Sequence, residues 1–170
     1  MMPQWYISMG SLFTYNFLTT ILTFLHDYSS GNTFYLQYHL NRVNFWNIAK
    51  KYPNFLLIGS SAGGIVCGKS IITSYYKGWD DPAIVSDHLW NNSNLRGSCS
   101  LPLLLFMHYD KTIHHDLVIQ KTIEYAAEGD TTICLPDNHA LIDDGVDVRI
   151  IDENGVVVTH DCTNNIWFPR

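Results

Sequence analysis

Residues 54 to 68 read "NFLLIGSSAGGIVCG": an apolar run, a cluster of small residues with two serines, and a second apolar run. The first run is short and continuous, like a strand buried on both faces, whereas "AGGIVCGKSII" shows none of the alternation of a strand. Gly59-Ser60-Ser61-Ala62-Gly63 therefore marks a sharp turn from strand into helix. Small neighbours permit such a turn, and the residue at its apex gains exposure and nearby backbone N–H groups. Ser61 is central in this G-x-S-x-G pattern, at the carboxyl end of the strand, where parallel sheets build their sites. The N–H of Ala62 would then face a developing oxyanion. A Gly-rich turn of this kind also serves as a phosphate cradle or a plain packing corner.

Outward from this turn the pattern repeats. "LPLLLFM" reads as a second doubly buried strand, "HDLVIQKTIEYAAEG" as a helix closed by Gly129, and "TTICL" as a third strand. Strands alternating with helices imply a parallel sheet covered on both faces. Upstream, "NTFYLQYHLNRVNFWNIAKKY" spaces Leu36, Leu40, Val43 and Trp46 as one amphipathic helix, with Asn32 and Thr33 able to cap its start and Lys50 and Lys51 suited to its end. Downstream, "HALI", "VDVRII" and "VVVTH" are separated by Asp144-Gly145 and Asn154-Gly155, which are hairpin-turn dipeptides. The expected fold is thus a three-layer α/β domain, a mostly parallel sheet with helices on both faces, ending in a small antiparallel ribbon.

Composition bounds the function. The 170 residues, 46% hydrophobic and 15% charged, suit a single domain spanning 1–170 with a real core. A net charge of -6 supplies no basic face, which argues against nucleic acid and against electrostatic attachment to a membrane. Cys67, Cys99, Cys134 and Cys162 form no C-x-x-C pair, so they read as reduced thiols of a cytoplasmic protein. Residues 5 to 25, "WYISMGSLFTYNFLTTILTFL", are uncharged over roughly a membrane-spanning length. Yet they hold four threonines and two serines, and no basic cluster precedes them, which favours a buried helix with a leading turn over a membrane span.

A serine nucleophile requires a base, and "LLLFMHYD" ends a buried strand with His108 at the same sheet edge as Ser61. Of the other histidines, His114 and His115 open a helix, His139 lies in a turn, and the rest sit in plain polar contexts. His108, Asp110, His114 and His115 also form a metal reading, but adjacent histidines diverge and no second ligand motif accompanies them. An orienting carboxylate is offered by "KGWDDP", as Asp80 or Asp81, while Asp143, Asp144 and Asp147 are explained by the turn they flank.

Ser30-Gly31-Asn32-Thr33-Phe34, "IGSSAGG", "DDP", "MHYD" and "LPDNHALIDDG" occur in order from about residue 29 to 150. Together they resemble the dipeptidase E and cyanophycinase group of serine peptidases, whose fold is similar to class I glutamine amidotransferases. The resemblance implies Ser61 as nucleophile, His108 as general base, and Asp80 as acid, with Asp81 as the alternative. It implies Gly31 and Ala62 as the oxyanion donors, a small peptide as substrate, and no metal or cofactor. If residues 5 to 25 cover the sheet edge that a short N-terminus would leave bare, the chain is expected to be a monomer or a compact homodimer. The pattern departs from the family at Ser30, which stands for glycine, and at Gly64, which stands for alanine. No arginine follows His108 to grip an acidic side chain, leaving Lys111 or Lys121 as substitutes. The first 28 residues are also shorter than the family's N-terminal part. The two functions in view are a peptidase, with acidic N-terminal residues as one candidate specificity, and a truncated, catalytically degenerate copy that keeps a binding role or none.

Overall fold

The structure is a computed structural model that describes residues 6–9, 31–51, 57–98, 102–111, 115–125, 129–144, 146–163 and 165–169. Eight strands are described: β1 (Tyr6–Met9), β2 (Leu57–Gly59), β3 (Leu103–Met107), β4 (Thr131–Leu135), β5 (Ala140–Asp143), β6 (Val148–Ile151), β7 (His160–Thr163) and β8 (Ile166–Pro169). Four α-helices join them: α1 (Thr33–Arg42), α2 (Phe45–Ala49), α3 (Ala62–Cys67) and α4 (His115–Tyr125). The strands form two four-stranded arrays, in the orders β2-β1-β5-β6 and β3-β4-β8-β7. β1 runs parallel to β2, and β4 runs parallel to both β3 and β8. The C-terminal strands fold back as antiparallel hairpins, β5 with β6 and β7 with β8. The architecture is the expected layered α/β one, with a mixed sheet between helices.

The faces follow from strand alternation. Along β3, Leu103, Leu105 and Met107 join the core that also takes Phe34 and Leu40 of α1, Phe45 of α2 and Ile65 and Val66 of α3. Phe106 points to the opposite side, where Cys134, Ile166 and Val118 of α4 meet it. Period-2 alternation therefore puts α1, α2 and α3 on one face and α4 on the other. Every residue of β3 is buried, which is why its sequence reads as an unbroken apolar run.

Four expectations are corrected. "VVVTH" does not form a strand of its own: Val157 makes a single bridge to Ile151, and His160 already begins β7. Residues 6–9 are not the beginning of a buried helix: they form β1, inserted between β2 and β5. Hydropathy alone cannot separate a buried strand from a buried helix over such a short stretch. The remainder of that segment lies outside the described residues, and among the described residues no helix is long and apolar enough to cross a membrane. The single helix expected from Asn32 to Lys51 is two helices, because Asn44 adopts a left-handed conformation, φ 52 and ψ 39. Asparagine tolerates that region better than most residues, so it punctuates the helix without a glycine. The buried face of α1 is also rotated relative to expectation: Thr33, Phe34, Gln37 and Leu40 are buried, while Val43 is exposed. Phe34 decides this, packing edge-on against Tyr75 and Trp90.

Candidate active site

Ser61 stands one residue before α3, at φ 52 and ψ -118, a conformation that L-residues rarely occupy. Two features hold it there. Ile65 N–H donates to the Ser61 carbonyl at 3.1 Å and Gly63 N–H to that of Ser60 at 2.8 Å, so the chain turns into helix at once. Gly59 makes the approach possible: a Cβ on it would stand 2.3 Å from the Gly63 carbonyl oxygen, inside van der Waals contact with the helix backbone. The glycine at the start of G-x-S-x-G is thus a packing requirement between β2 and α3.

His108 follows β3 and also has a positive φ, 61°. Its Nε2 lies 2.8 Å from the Ser61 hydroxyl oxygen. Its Nδ1 is bonded to the Asp137 carboxylate. Asp137 follows β4, and its backbone N–H donates to the Asp110 carboxylate at 2.9 Å. Serine, imidazole and carboxylate therefore leave the carboxyl ends of β2, β3 and β4 and form one hydrogen-bonded chain. All three are partly shielded from water, with Ser61 at 9% exposure and the His108 and Asp137 side chains at 15% and 29%. Such a chain can move a proton from the hydroxyl to the imidazole while the carboxylate holds the tautomer and stabilises the cation formed.

The sequence pointed instead to Asp80, with Asp81 second. The contacts of both lead elsewhere. Asp80 accepts from the Thr33 hydroxyl at 2.5 Å and from the Lys77 ammonium at 3.3 Å, and both members of the ion pair have essentially no exposed side-chain surface. Burial draws the Lys77 ammonium below its ordinary range, and the Asp80 carboxylate opposes that shift. Asp81 caps the 3-10 turn Pro82–Ile84 by accepting from Ala83 N–H at 2.8 Å, and its carbonyl receives the Asn32 side-chain amide at 2.9 Å. The two aspartates thus tie their loop to the start of α1, next to Gly31, rather than orient the imidazole. Asp137 lies outside the segment between Ser61 and His108, where the orienting acid was expected; its sequence signal is that it too follows a buried strand.

Ala62 heads α3, and its N–H has no acceptor among the described residues, as an oxyanion donor requires. Gly31 precedes Asn32, whose side chain caps α1 by accepting from Tyr35 N–H at 3.1 Å. Lys121 pairs with Glu124 along α4 at 2.7 Å, and the Lys111 side chain lies outside the described residues. Of the four residues of the metal reading, Asp110 serves the Asp137 backbone, His115 stacks on Tyr109 at 4.3 Å, and His114 is outside the described residues. A separate hollow of about 260 Å³, walled by Asn41, Trp46, Arg96 and Ser98 among others, contains no member of the Ser61-His108-Asp137 chain.

No family model matches this sequence. No curated protein matches it either. Among solved structures it is similar to the 1.5 Å crystal structure of a protein from Listeria monocytogenes EGD-e described as a candidate peptidase E, with a TM-score of 0.55 and 19% identity. The match covers 72% of this chain and 56% of that one, so this chain spans little more than half the length of the protein it resembles.

Proposed function

We propose that the protein is a serine peptidase that hydrolyses short peptides through an acyl-enzyme, with Ser61 as nucleophile, His108 as general base and Asp137 as the orienting acid. The observation that carries this reading is the unbroken chain from the Ser61 hydroxyl through both nitrogens of His108 to Asp137. The likeness in fold to a candidate peptidase E supports it, as does the ordered set of motifs that resemble the dipeptidase E and cyanophycinase group.

In the first half-reaction the Ser61 oxygen bonds to the scissile carbonyl carbon while its proton passes to His108 Nε2. The carbonyl oxygen becomes an oxyanion, received by the N–H of Ala62 and, on the family pattern, of Gly31. Collapse of this adduct breaks the C–N bond, and the same proton leaves with the amine. Water then repeats the sequence on the acyl-enzyme, giving its proton to His108 and releasing the acid and Ser61. No step calls for a metal or cofactor.

Of the two lysines expected to stand in for an arginine toward an acidic residue, Lys121 is paired with Glu124 at 2.7 Å, and the Lys111 side chain lies outside the described residues. Free thiols at Cys67, Cys134 and Cys162 accord with a reducing, cytoplasmic setting. The test is covalent labelling. A fluorophosphonate should add one adduct to the wild-type chain and none to Ser61→Ala, read by intact mass; equal labelling of both, or of neither, sinks the assignment.

A further inference from the structure

Beside the catalytic histidine stands a residue that the proton-transfer chain does not use. Trp79 is 48% exposed, yet its ring centroid lies 6.0 Å from that of His108, inclined at 54°. Half-exposed indoles on a surface are common, but this one is held in place. Gly78, immediately before it, has φ +99 and open space where a Cβ would be, so the chain there uses the freedom of glycine to turn. The Lys77 ammonium lies 5.2 Å from the centre of the Trp79 ring, a cation–π contact made by a lysine with no exposed side-chain surface. Lys77 is anchored by Asp80, and Asp80 by Thr33 at the start of α1. Three successive buried contacts thus end on an aromatic surface left open beside the reacting atoms.

The charges around the site point the same way. Asp137 bonds to His108, and Asp110 to the backbone of Asp137, so carboxylates flank the imidazole. Lys77, two residues before the indole, is neutralised by Asp80 and lies against the ring. An acidic side chain entering here would meet like charge and an aromatic face. An apolar one would cover the exposed indole, which is how binding sites join a mainly apolar wall to a few convergent polar groups.

We propose that Trp79 determines specificity by forming the wall that receives an aromatic or large aliphatic side chain flanking the scissile bond. This rests on the peptidase reading of Ser61 and His108, so the test separates the two. Binding is measured by calorimetry in the Ser61→Ala background with the dipeptides Phe-Gly and Gly-Phe against Asp-Gly and Gly-Asp. A phenylalanyl peptide should bind at least about tenfold more tightly than its aspartyl counterpart, the scale of discrimination an apolar pocket supplies. Adding Trp79→Ala should remove most of that difference and leave the aspartyl peptides unchanged, and Trp79→Phe should restore it. Circular dichroism confirms that each variant is folded. Equal affinities, tighter aspartyl binding, no binding of any peptide, or equal losses for both classes in Trp79→Ala would overturn the proposal. Fluorophosphonate labelling of the chain bearing Ser61 reports separately: labelling without discrimination defeats the wall alone, whereas discrimination without labelling defeats the peptidase reading alone.

Discussion

At the scale of single residues, Asp137 stands at the imidazole where Asp80 was expected, and variants of the two should differ in kind. Asp137→Asn should lower kcat by up to about four orders of magnitude, because an amide cannot stabilise the imidazolium and favours the wrong tautomer. Asp80→Asn should act on stability: it leaves the Lys77 ammonium buried without its carboxylate, and breaking a buried pair on one side costs about 3 kcal/mol or more. Turnover and urea unfolding, measured on both variants, separate the roles; a larger loss of kcat in Asp80→Asn would return that residue to the catalytic chain. Cys67 supplies a pH-dependent counterpart. Its thiol is buried and lies 3.0 Å from the Gly63 carbonyl, and burial pushes its pKa from 9.0 up to about 12. The folded state thus favours the neutral thiol. The stability this contributes is complete below about pH 9 and is lost as pH climbs toward about 12, at about 1.4 kcal/mol per unit for one group. Cys67→Ala should flatten the alkaline slope of stability against pH relative to wild type.

At the scale of elements, the turn from β2 into α3 leaves no room for a side chain at Gly59. A methyl group on Gly59 would lie 2.3 Å from the Gly63 carbonyl oxygen and 2.8 Å from the Cys67 sulfur. The first contact is with backbone and cannot be relieved by a rotamer change. Gly59→Ala should therefore displace α3 and the Ser61 hydroxyl together, lowering stability by about 1–3 kcal/mol and fluorophosphonate labelling with it. A variant labelled at the wild-type rate would show that the elbow tolerates the shift. Among the described residues, the position of each thiol within its element also predicts reactivity. Cys67 in α3 and Cys134 in β4 are buried, whereas Cys162 in β7 is exposed. Iodoacetamide added to the native protein should modify Cys162 and spare the other two, by peptide mass mapping.

At the scale of the whole molecule, the two strand arrays do not form separate cores. Leu57 of β2, Leu141 of β5 and Ile150 of β6 share one cluster with Leu105 of β3 and Ile133 of β4, and α3 packs against both β2 and β3. Cooperative unfolding follows from a shared core. Leu105→Ala, at a residue with no exposed surface, should cost about 2–5 kcal/mol and lower the urea midpoint while leaving a single transition. A biphasic curve would mean that the arrays unfold independently.

Sequence alone determined the elements whose cause is local. The continuous apolar runs of β3 and β4, the turn at Ser61 and the Asp144 turn between β5 and β6 all act over a few neighbouring residues, so their chemistry is legible in order along the chain. Ser61 and His108 were legible for the same reason, each at the end of such a run. Tertiary structure alone decided what depends on partners distant in sequence. Residues 6–9 become a strand because β2 and β5 offer edges to it. Phe34 outranks Leu36 and Val43 because Tyr75 and Trp90 are there to receive it. Asp137 rather than Asp80 meets the imidazole because parallel pairing of β3 with β4 brings their carboxyl ends side by side, while Lys77 and Thr33 hold Asp80. Its place in the loop between Ser61 and His108, ahead of Pro82, favoured Asp80; strand pairing, which no order along the chain reveals, selected Asp137.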